Sequence, residues 1–311
     1  MTDKPLVSIA LCTYNGAQYL AQQLETLVGQ TYPNIEIIAV DDVSKDDTVN
    51  ILEQFAARHT NFSIHRNTEN LGYIKNFEKA ISLCKGQYIA LADQDDIWEL
   101  NKIELLLQNI GNAALIYHDS EFIDEQGLSI GRKVSDVRNF YAGTNANIFL
   151  LENCVSGHAL MFNRELLKYF TGFNREVIHD WWLTYMACNN GGVTFINDVL
   201  VKYRQHTQAN TNILRQDRGE AKKKDSLLRI EKLHAIAAAF AGYPYNTDQA
   251  FKQRYFKLMD MRMHSYFSFR LFWFIFNRRD SLLYIQKKSA LSKFNFSLKY
   301  AWGYLLKKLF N

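Results

Sequence analysis

Asp93 and Asp95 stand two residues apart where the apolar run QYIALAD (87–93) gives way to QDDIW. A turn at the end of a buried strand can aim both carboxylates at one point. Hard oxygen ligands of this kind suit Mg²⁺ or Mn²⁺, which keep several waters and hold substrate phosphates through one or two carboxylates. Turn chemistry is the competing account: Asp is common at strand ends and N-caps, and Asp96 is placed to cap the next helix. Two further apolar runs end in the same way. VSIALC (7–12) is followed by Thr13, Tyr14 and Asn15, and IEIIAVDD (35–42) closes on Asp41 and Asp42. One polar strand end says little, because loops after buried strands are ordinarily polar. Three on one edge describe a site.

The elements that must position these residues alternate. Short apolar, β-rich runs at 7–12, 35–42, 62–66, 87–93 and 114–119 are separated by helical periodicity at 17–30, 47–58, 74–84 and 99–110. In the first helix Leu20, Leu24, Leu27 and Val28 recur at i, i+4, i+7, i+8. Such alternation implies right-handed crossovers and an α/β fold with a mostly parallel, doubly wound sheet. Ligands of these sheets bind beyond the carboxyl ends of the strands, where the three polar endings lie. After 120 the pattern loosens. Residues 131–147 read as a loop, 157–163 as a strand, 164–171 as a short helix, 179–190 as a helix and 193–206 as one or two strands. From about 218 the chain reads as helical.

Charge divides the chain near the same place. Residues 1–214 hold 16 Lys and Arg against 25 Asp and Glu, a net −9, whereas residues 215–311 hold 20 against 7, a net +13. Two domains are therefore expected, 1–215 and 216–311. A basic region suits nucleic acid, anionic lipid or simply a solvated helical surface. No nucleic-acid motif occurs in it, so no nucleic-acid partner is expected. The four cysteines are far apart with no C-x-x-C pair, which suits reduced thiols in a reducing compartment. The N-terminal apolar run is a poor signal peptide, and no apolar stretch is long enough to span a bilayer. A cytoplasmic location follows, with a peripheral position on the inner face of the cytoplasmic membrane left open.

Taken in order, VSIALCTYN (7–15), VDDVSKDDT (40–48), NLGYIKNF (70–77) and GQYIALADQDDIW (86–98) resemble family 2 glycosyltransferases of the GT-A fold. GHALMFNRELL (157–167), HDWWL (179–183) and YRQHTQAN (203–210) extend the resemblance, the last two toward a bacterial polysaccharide branch in which rhamnosyltransferases are common. The resemblance implies an inverting, metal-dependent transferase. Its donor would be a UDP- or dTDP-sugar, dTDP-rhamnose among them. Its acceptor would be a hydroxyl of a saccharide or lipid-linked saccharide. Thr13, Tyr14 and Asn15 would line the nucleotide site, with Tyr14 against the base and Asp42 accepting the base N3–H. Asp95 would hold Mn²⁺ or Mg²⁺ together with Asp93, which could instead reach the ribose. His206 would be a third ligand. Lys75 and Arg66 would add positive charge near the phosphates. Asp180 would be the catalytic base, with N-capping as its competing role. His179 and Trp182 flank it as acceptor contacts, Trp182 by stacking on a sugar face. No Q-x-x-R-W motif is present, which argues for single transfers rather than processive synthesis.

Two other accounts of the fold remain. A nucleotidyltransferase would want a Gly-rich basic loop after the first strand, which CTYNGAQ is not. A non-catalytic partner would not need Asp93, Asp95 and Asp180. In the C-terminal region YFSFRLFWFIF (266–276) is too short to span but very apolar. Leu298, Trp302, Leu305, Leu306 and Leu309 form one stripe if 298–309 is a continuous helix. Residues 266–311 therefore suggest either a membrane-facing surface or a homodimer interface.

Overall fold

The structure, a computed structural model, describes residues 4–206 and 225–309. The expected domain boundary near 215 and the last four residues of YRQHTQAN lie outside them. The chain forms two compact units. One comprises residues 4–136, 140–144 and 155–206; the other comprises 137–139, 145–154 and the described chain from 225 onward. The C-terminal unit thus recruits two short segments from the middle of the sequence, which the charge pattern alone did not reveal.

The first unit is built on one nine-stranded sheet. β1 (Val7–Thr13) lies between β2 (Ile35–Asp41) and β4 (Tyr88–Ala92), and β3 (Phe62–Arg66) flanks β2; all of these pairings are parallel. Every residue of β1 is buried, which is why it reads as an uninterrupted apolar run rather than an alternating one. The helices α1 (Ala17–Val28), α2 (Thr48–Arg58), α3 (Tyr73–Leu83) and α4 (Lys102–Asn109) connect or follow these strands as expected. On α1 the side chains of Leu20, Leu24 and Leu27 enter the core, and so does Gln23.

Beyond β4 the sheet is mixed, so only its first half has the expected parallel order. β8 (Leu160–Asn163) joins β4 antiparallel, β6 (Leu115–Ile123) joins β8 antiparallel, and β9 (Val193–Arg204) runs parallel to β6. The two-residue β5 (Ile97–Trp98) pairs with β9 at the far edge. β6 continues past the expected end at 119 because its one buried acid is satisfied. The Asp119 carboxylate accepts the N–H groups of Ser120 (2.9 Å) and Ser135 (3.0 Å) and the Ser135 hydroxyl. That anchorage also orders much of the expected loop 131–147. It contains the end of β7 (Ser129–Lys133), a fully exposed strand on β6, and the single turn α5 (Val134–Val137). The next long helix, α6 (His179–Asn189), follows a 3₁₀ segment at Arg164–Tyr169. No disulfide joins Cys12, Cys84, Cys154 and Cys188, and all four are buried.

The second unit is helical: α7 (Asp225–Gly242), α8 (Gln249–Met263), α9 (Phe269–Phe276), α10 (Arg279–Leu282), α11 (Ala290–Tyr300) and α12 (Tyr304–Leu309). The expected continuous helix 298–309 is broken. α11 ends at Tyr300, and the chain passes close under Ser265 at Gly303, where a Cβ would lie 1.8 Å from the Ser265 carbonyl oxygen. The five-residue stripe from Leu298 to Leu309 is therefore split between two helices. Among the described residues no helix is long and apolar enough to cross a membrane.

Candidate active site

The carboxyl ends of β1, β2 and β4 assemble the first part of the site. Thr13 is buried and donates its hydroxyl to Asp41 Oδ1 at 3.0 Å. Asp41 also accepts the Ser44 N–H at 3.0 Å. Asp42 is buried, and its carboxylate receives Asn67 Nδ2 (2.7 Å) and the N–H groups of Leu71 (2.8 Å) and Gly72 (2.8 Å). It thereby fastens the loop before α3. Three donors leave about one of its roughly four acceptor directions for a ligand. The backbone here is strained. Asn15 has φ 48° and Val43 has φ 67°, the latter a genuine outlier for a β-branched residue. Asn15 is held there on both sides, its N–H donating to Ser44 Oγ and its Oδ1 accepting the Lys45 N–H. Tyr14 is 47% exposed, so its ring has a face free for a flat ligand.

The loop after β4 is tied to these residues. Gln94, the middle residue of Asp93-Gln94-Asp95, donates Nε2 to the Tyr14 carbonyl (3.0 Å) and accepts the Tyr14 N–H (2.8 Å). A Cβ at Gly16 would lie 2.2 Å from Gln94 Oε1, so any larger residue there would displace the Gln94 amide from Tyr14. Gln23 of α1 donates to the Asp93 carbonyl at 3.1 Å. Asp95 Oδ2 lies 2.8 Å from His206 Nε2, two positions beyond the end of β9. Two of the three expected metal ligands, 111 residues apart in sequence, are thus brought together.

Behind them lies a buried polar cluster. Asp96 accepts the Arg204 N–H at 3.0 Å, and its other oxygen lies 3.3 Å from His158 Nδ1. His158 Nε2 is 3.0 Å from Ser120 Oγ. Lys102 is fully buried, donates to the His158 carbonyl and stands 3.0 Å from the Trp98 ring centroid. Burial and the neighbouring Lys102 charge push the His158 imidazole down to about 3. Asp93 borders this cluster. Its carboxyl is pushed up to about 7, first by burial among crowded neighbours although its side chain keeps 39% exposure, then by the charges of Asp95 and Asp180.

This donor set fits a divalent cation. The crowded carboxylates of Asp93 and Asp95 need a positive charge, and carboxylate oxygen with one imidazole suits Mn²⁺ or Mg²⁺. Asp93, Asp96 and His158 also bring one ligand atom each within 4.8 Å of one another. Two of those three are buried, however, and the space beside them is already taken by the buried Lys102 amine, whose pKa burial pushes well down. The partly open pair of Asp95 and His206, with Asp93 at its edge, is the better place for an ion.

Asp180 belongs to the same neighbourhood. After burial, which is the larger cause in both, its charge helps to raise the carboxyl of Asp93 and the phenol of Tyr73. It is the second residue of α6, whose N-cap is Ile178, and Oδ2 accepts the Gly157 N–H at 3.1 Å. Asp180 is thus not the capping residue. Its expected neighbours point inward. His179 is 6% exposed and stacks on Phe77 with ring centroids 4.2 Å apart. Trp182 is 4% exposed and lies against Tyr185. Neither ring has a free face for an acceptor sugar, because the first turn of α6 packs inward at these positions. Lys75 pairs with Glu78 at 2.9 Å, and Arg66 is exposed at the end of β3.

Arg204 is the residue of this neighbourhood that sequence reasoning missed most completely. Only 2% exposed, it donates Nε to the Asp95 carbonyl (2.8 Å), Nη1 to the carbonyls of Asp124 (3.2 Å) and Glu125 (3.0 Å), and Nη2 to Gln22 Oε1 (2.9 Å). Its guanidinium also stands 4.5 Å from the Tyr19 ring centroid. Its place in YRQH, beside His206, was the one available signal.

A mixed α/β sheet whose parallel half ends in a carboxylate-rich edge is the architecture of the GT-A fold. Solved structures bear out the fold. TarS residues 1–349 of S. aureus, in complex with UDP-GlcNAc, superposes with a TM-score of 0.59 at 16% identity, covering 95% of this chain and 82% of that one. The mannosyltransferase PcManGT from Pyrobaculum calidifontis, with GDP-Man and Mn²⁺, gives 0.54 at 18% identity over 83% and 71%. The chain belongs to glycosyl transferase family 2, whose description matches residues 8–170. An uncharacterized glycosyltransferase of Rickettsia typhi is 32% identical over 68% of this chain and 67% of its own length. The chondroitin synthase of Escherichia coli is 29% identical over 68% of this chain and 31% of the relative.

Proposed function

We propose that this chain is an inverting, non-processive glycosyltransferase that moves a sugar from a UDP- or dTDP-sugar to a hydroxyl of a saccharide or lipid-linked saccharide acceptor in cell-surface polysaccharide synthesis. Residues 1–215 would bind donor and perform the transfer, and 216–311 would make acceptor, membrane or subunit contacts. The observation that carries the reading is the meeting of Asp95 and His206 at the carboxyl edge of the sheet, with Asp93 and Asp180 electrically coupled beside them. A relative named as a chondroitin synthase supports a glycan acceptor, and the UDP-GlcNAc complex of TarS supports a uridine-nucleotide donor. No observation favours dTDP-rhamnose over other pyrimidine-nucleotide sugars.

In this reading Tyr14 offers its exposed face to the base, and the remaining acceptor direction of Asp42 takes the pyrimidine N3–H. Asp95, His206 and Asp93 would hold Mn²⁺ or Mg²⁺, and a divalent cation bound there would supply charge neutralisation for the departing nucleoside diphosphate. Asp180 accepts the acceptor hydroxyl proton as the new C1–O bond forms and the bond to the diphosphate breaks on the opposite face. Lys75 would have to leave Glu78 to approach the phosphates, and is better read as a surface ion pair. The test is a donor-hydrolysis screen over UDP- and dTDP-sugars with Mn²⁺ and Mg²⁺. Turnover should require the cation and vanish in Asp95→Ala. Full turnover in EDTA would sink the mechanism.

A further inference from the structure

The second unit carries an apolar face that its own packing does not use. On α9 the side chains of Leu271, Phe272, Phe274 and Ile275 turn inward, and Phe269 (70% exposed) and Trp273 (54%) turn out, one helical turn apart. On α11 Leu291 (70%) and Leu298 (36%) are exposed on either side of Phe294. The two helices meet there: the Phe276 ring lies 5.6 Å from that of Phe294 and 5.8 Å from that of Trp273. Phe267 continues the surface, with ring centroids 4.7 Å from Phe269 and 6.2 Å from the partly exposed Trp302. Exposed aromatic and leucine side chains gathered on one face, rather than scattered singly, mark an interaction site.

Charge selects the occupant. Residues 261–311 contain ten Lys and Arg and a single acid, Asp280. Arg270 is exposed between Phe269 and Trp273, and Lys299 is exposed beside Leu298. We infer that the α9–α11 face seats on an anionic lipid bilayer, with Phe269, Trp273 and Trp302 entering the headgroup boundary and the flanking basic side chains meeting lipid phosphates. Aromatic side chains with an apolar body and a polar edge favour that boundary, and each nearby Lys or Arg adds attraction to an anionic leaflet. A second copy of the same face would bring like charge against like charge, since a two-fold interface matches each patch with itself. The surface is assembled from two helices and an intervening turn, and it does not need the continuous C-terminal stripe expected from sequence. It is independent of the donor chemistry, though it suits a lipid-linked acceptor.

Flotation of the full chain with vesicles of phosphatidylcholine alone, or with added phosphatidylglycerol, tests the inference. Binding is expected on the anionic vesicles at low salt and should weaken as salt rises. Phe269→Ser with Trp273→Ser should lower the partition coefficient by about tenfold or more. Arg270→Gln with Lys299→Gln should weaken binding only to the anionic vesicles. Quenching of wild-type tryptophan emission by brominated acyl chains reports insertion without any variant. A wild-type chain that neither floats nor is quenched overturns the inference. So does a wild-type dimer that the Phe269 and Trp273 changes dissociate without any lipid binding. Donor hydrolysis measured on the same samples separates the two readings. Vesicle binding without hydrolysis would fail the transferase reading alone, and hydrolysis without vesicle binding would fail only this one.

Discussion

Asp180 shows how position within a helix can decide a residue's role. An Asp at a helix start invites a capping explanation, worth about 1 kcal/mol when the cap is removed. Here the N-cap is Ile178, and Asp180 Oδ2 reaches across to accept the Gly157 N–H. Asp180→Asn keeps the size and one carbonyl acceptor but cannot take a proton. Under the proposed reaction it lowers kcat by about 10²–10⁴-fold, the usual worth of a positioned base, with the donor KM nearly unchanged. Steady-state kinetics with saturating acceptor would show this, and an unchanged kcat would move the base elsewhere. His179 makes the complementary point. Its ring nitrogens have no hydrogen-bond partner among the described residues, and burial pushes its imidazole down to about 3. A ring so placed packs on Phe77 as a neutral aromatic rather than adding a second charge next to Asp180.

At the scale of elements, the parallel strands were legible because strands buried on both faces leave no polar alternation to confuse with a helix; β1, with every residue buried, is the clearest case. The extension of β6 and the order in 129–137 were not legible. Asp119 and Ser135 satisfy each other across 16 residues, and separately each reads as a loop residue. The site divides in the same way. Carboxylates at strand ends advertise themselves, whereas Gln23, Gln94 and Arg204 act by binding backbone carbonyls, and nothing in a sequence distinguishes such residues from surface polar ones. Arg204 is the sharpest example, since it ties the Asp95 carbonyl to the end of β6 and to α1. Lys cannot reproduce a planar fork that serves four acceptors. Arg204→Lys is therefore expected to weaken Mn²⁺ activation by about 10- to 100-fold, the range for residues that orient metal ligands. Titration of activity with Mn²⁺ should show most of the kcat returning at saturating metal. A loss of kcat with unchanged Mn²⁺ dependence would assign Arg204 to the fold in general rather than to the loop.

At the scale of the whole molecule, charge separation has a consequence for ligand binding. Residues 1–214 carry a net −9 and contain every proposed ligand of the donor. A nucleoside diphosphate is itself an anion, so long-range electrostatics oppose its approach unless a divalent cation comes with it. The carboxyl of Asp93, held up to about 7 partly by the charges of Asp95 and Asp180, is the local expression of the same excess. Nucleotide and metal should therefore stabilise the protein together and hardly at all apart. A ligand at one hundred times its dissociation constant contributes about 2.7 kcal/mol to the folded state. For a unit of this size that corresponds to a rise of roughly 5–10 °C in the midpoint of the transition it belongs to. Thermal unfolding with UDP alone, Mn²⁺ alone and both would show an upward shift well beyond the sum of the two single additions. The joint shift should disappear in Asp95→Ala. GDP should give a smaller one, because the remaining acceptor direction of Asp42 suits a pyrimidine N3–H. An equal shift from UDP in EDTA would mean that the diphosphate is held without a cation, and the acidic edge after β4 would then need another purpose.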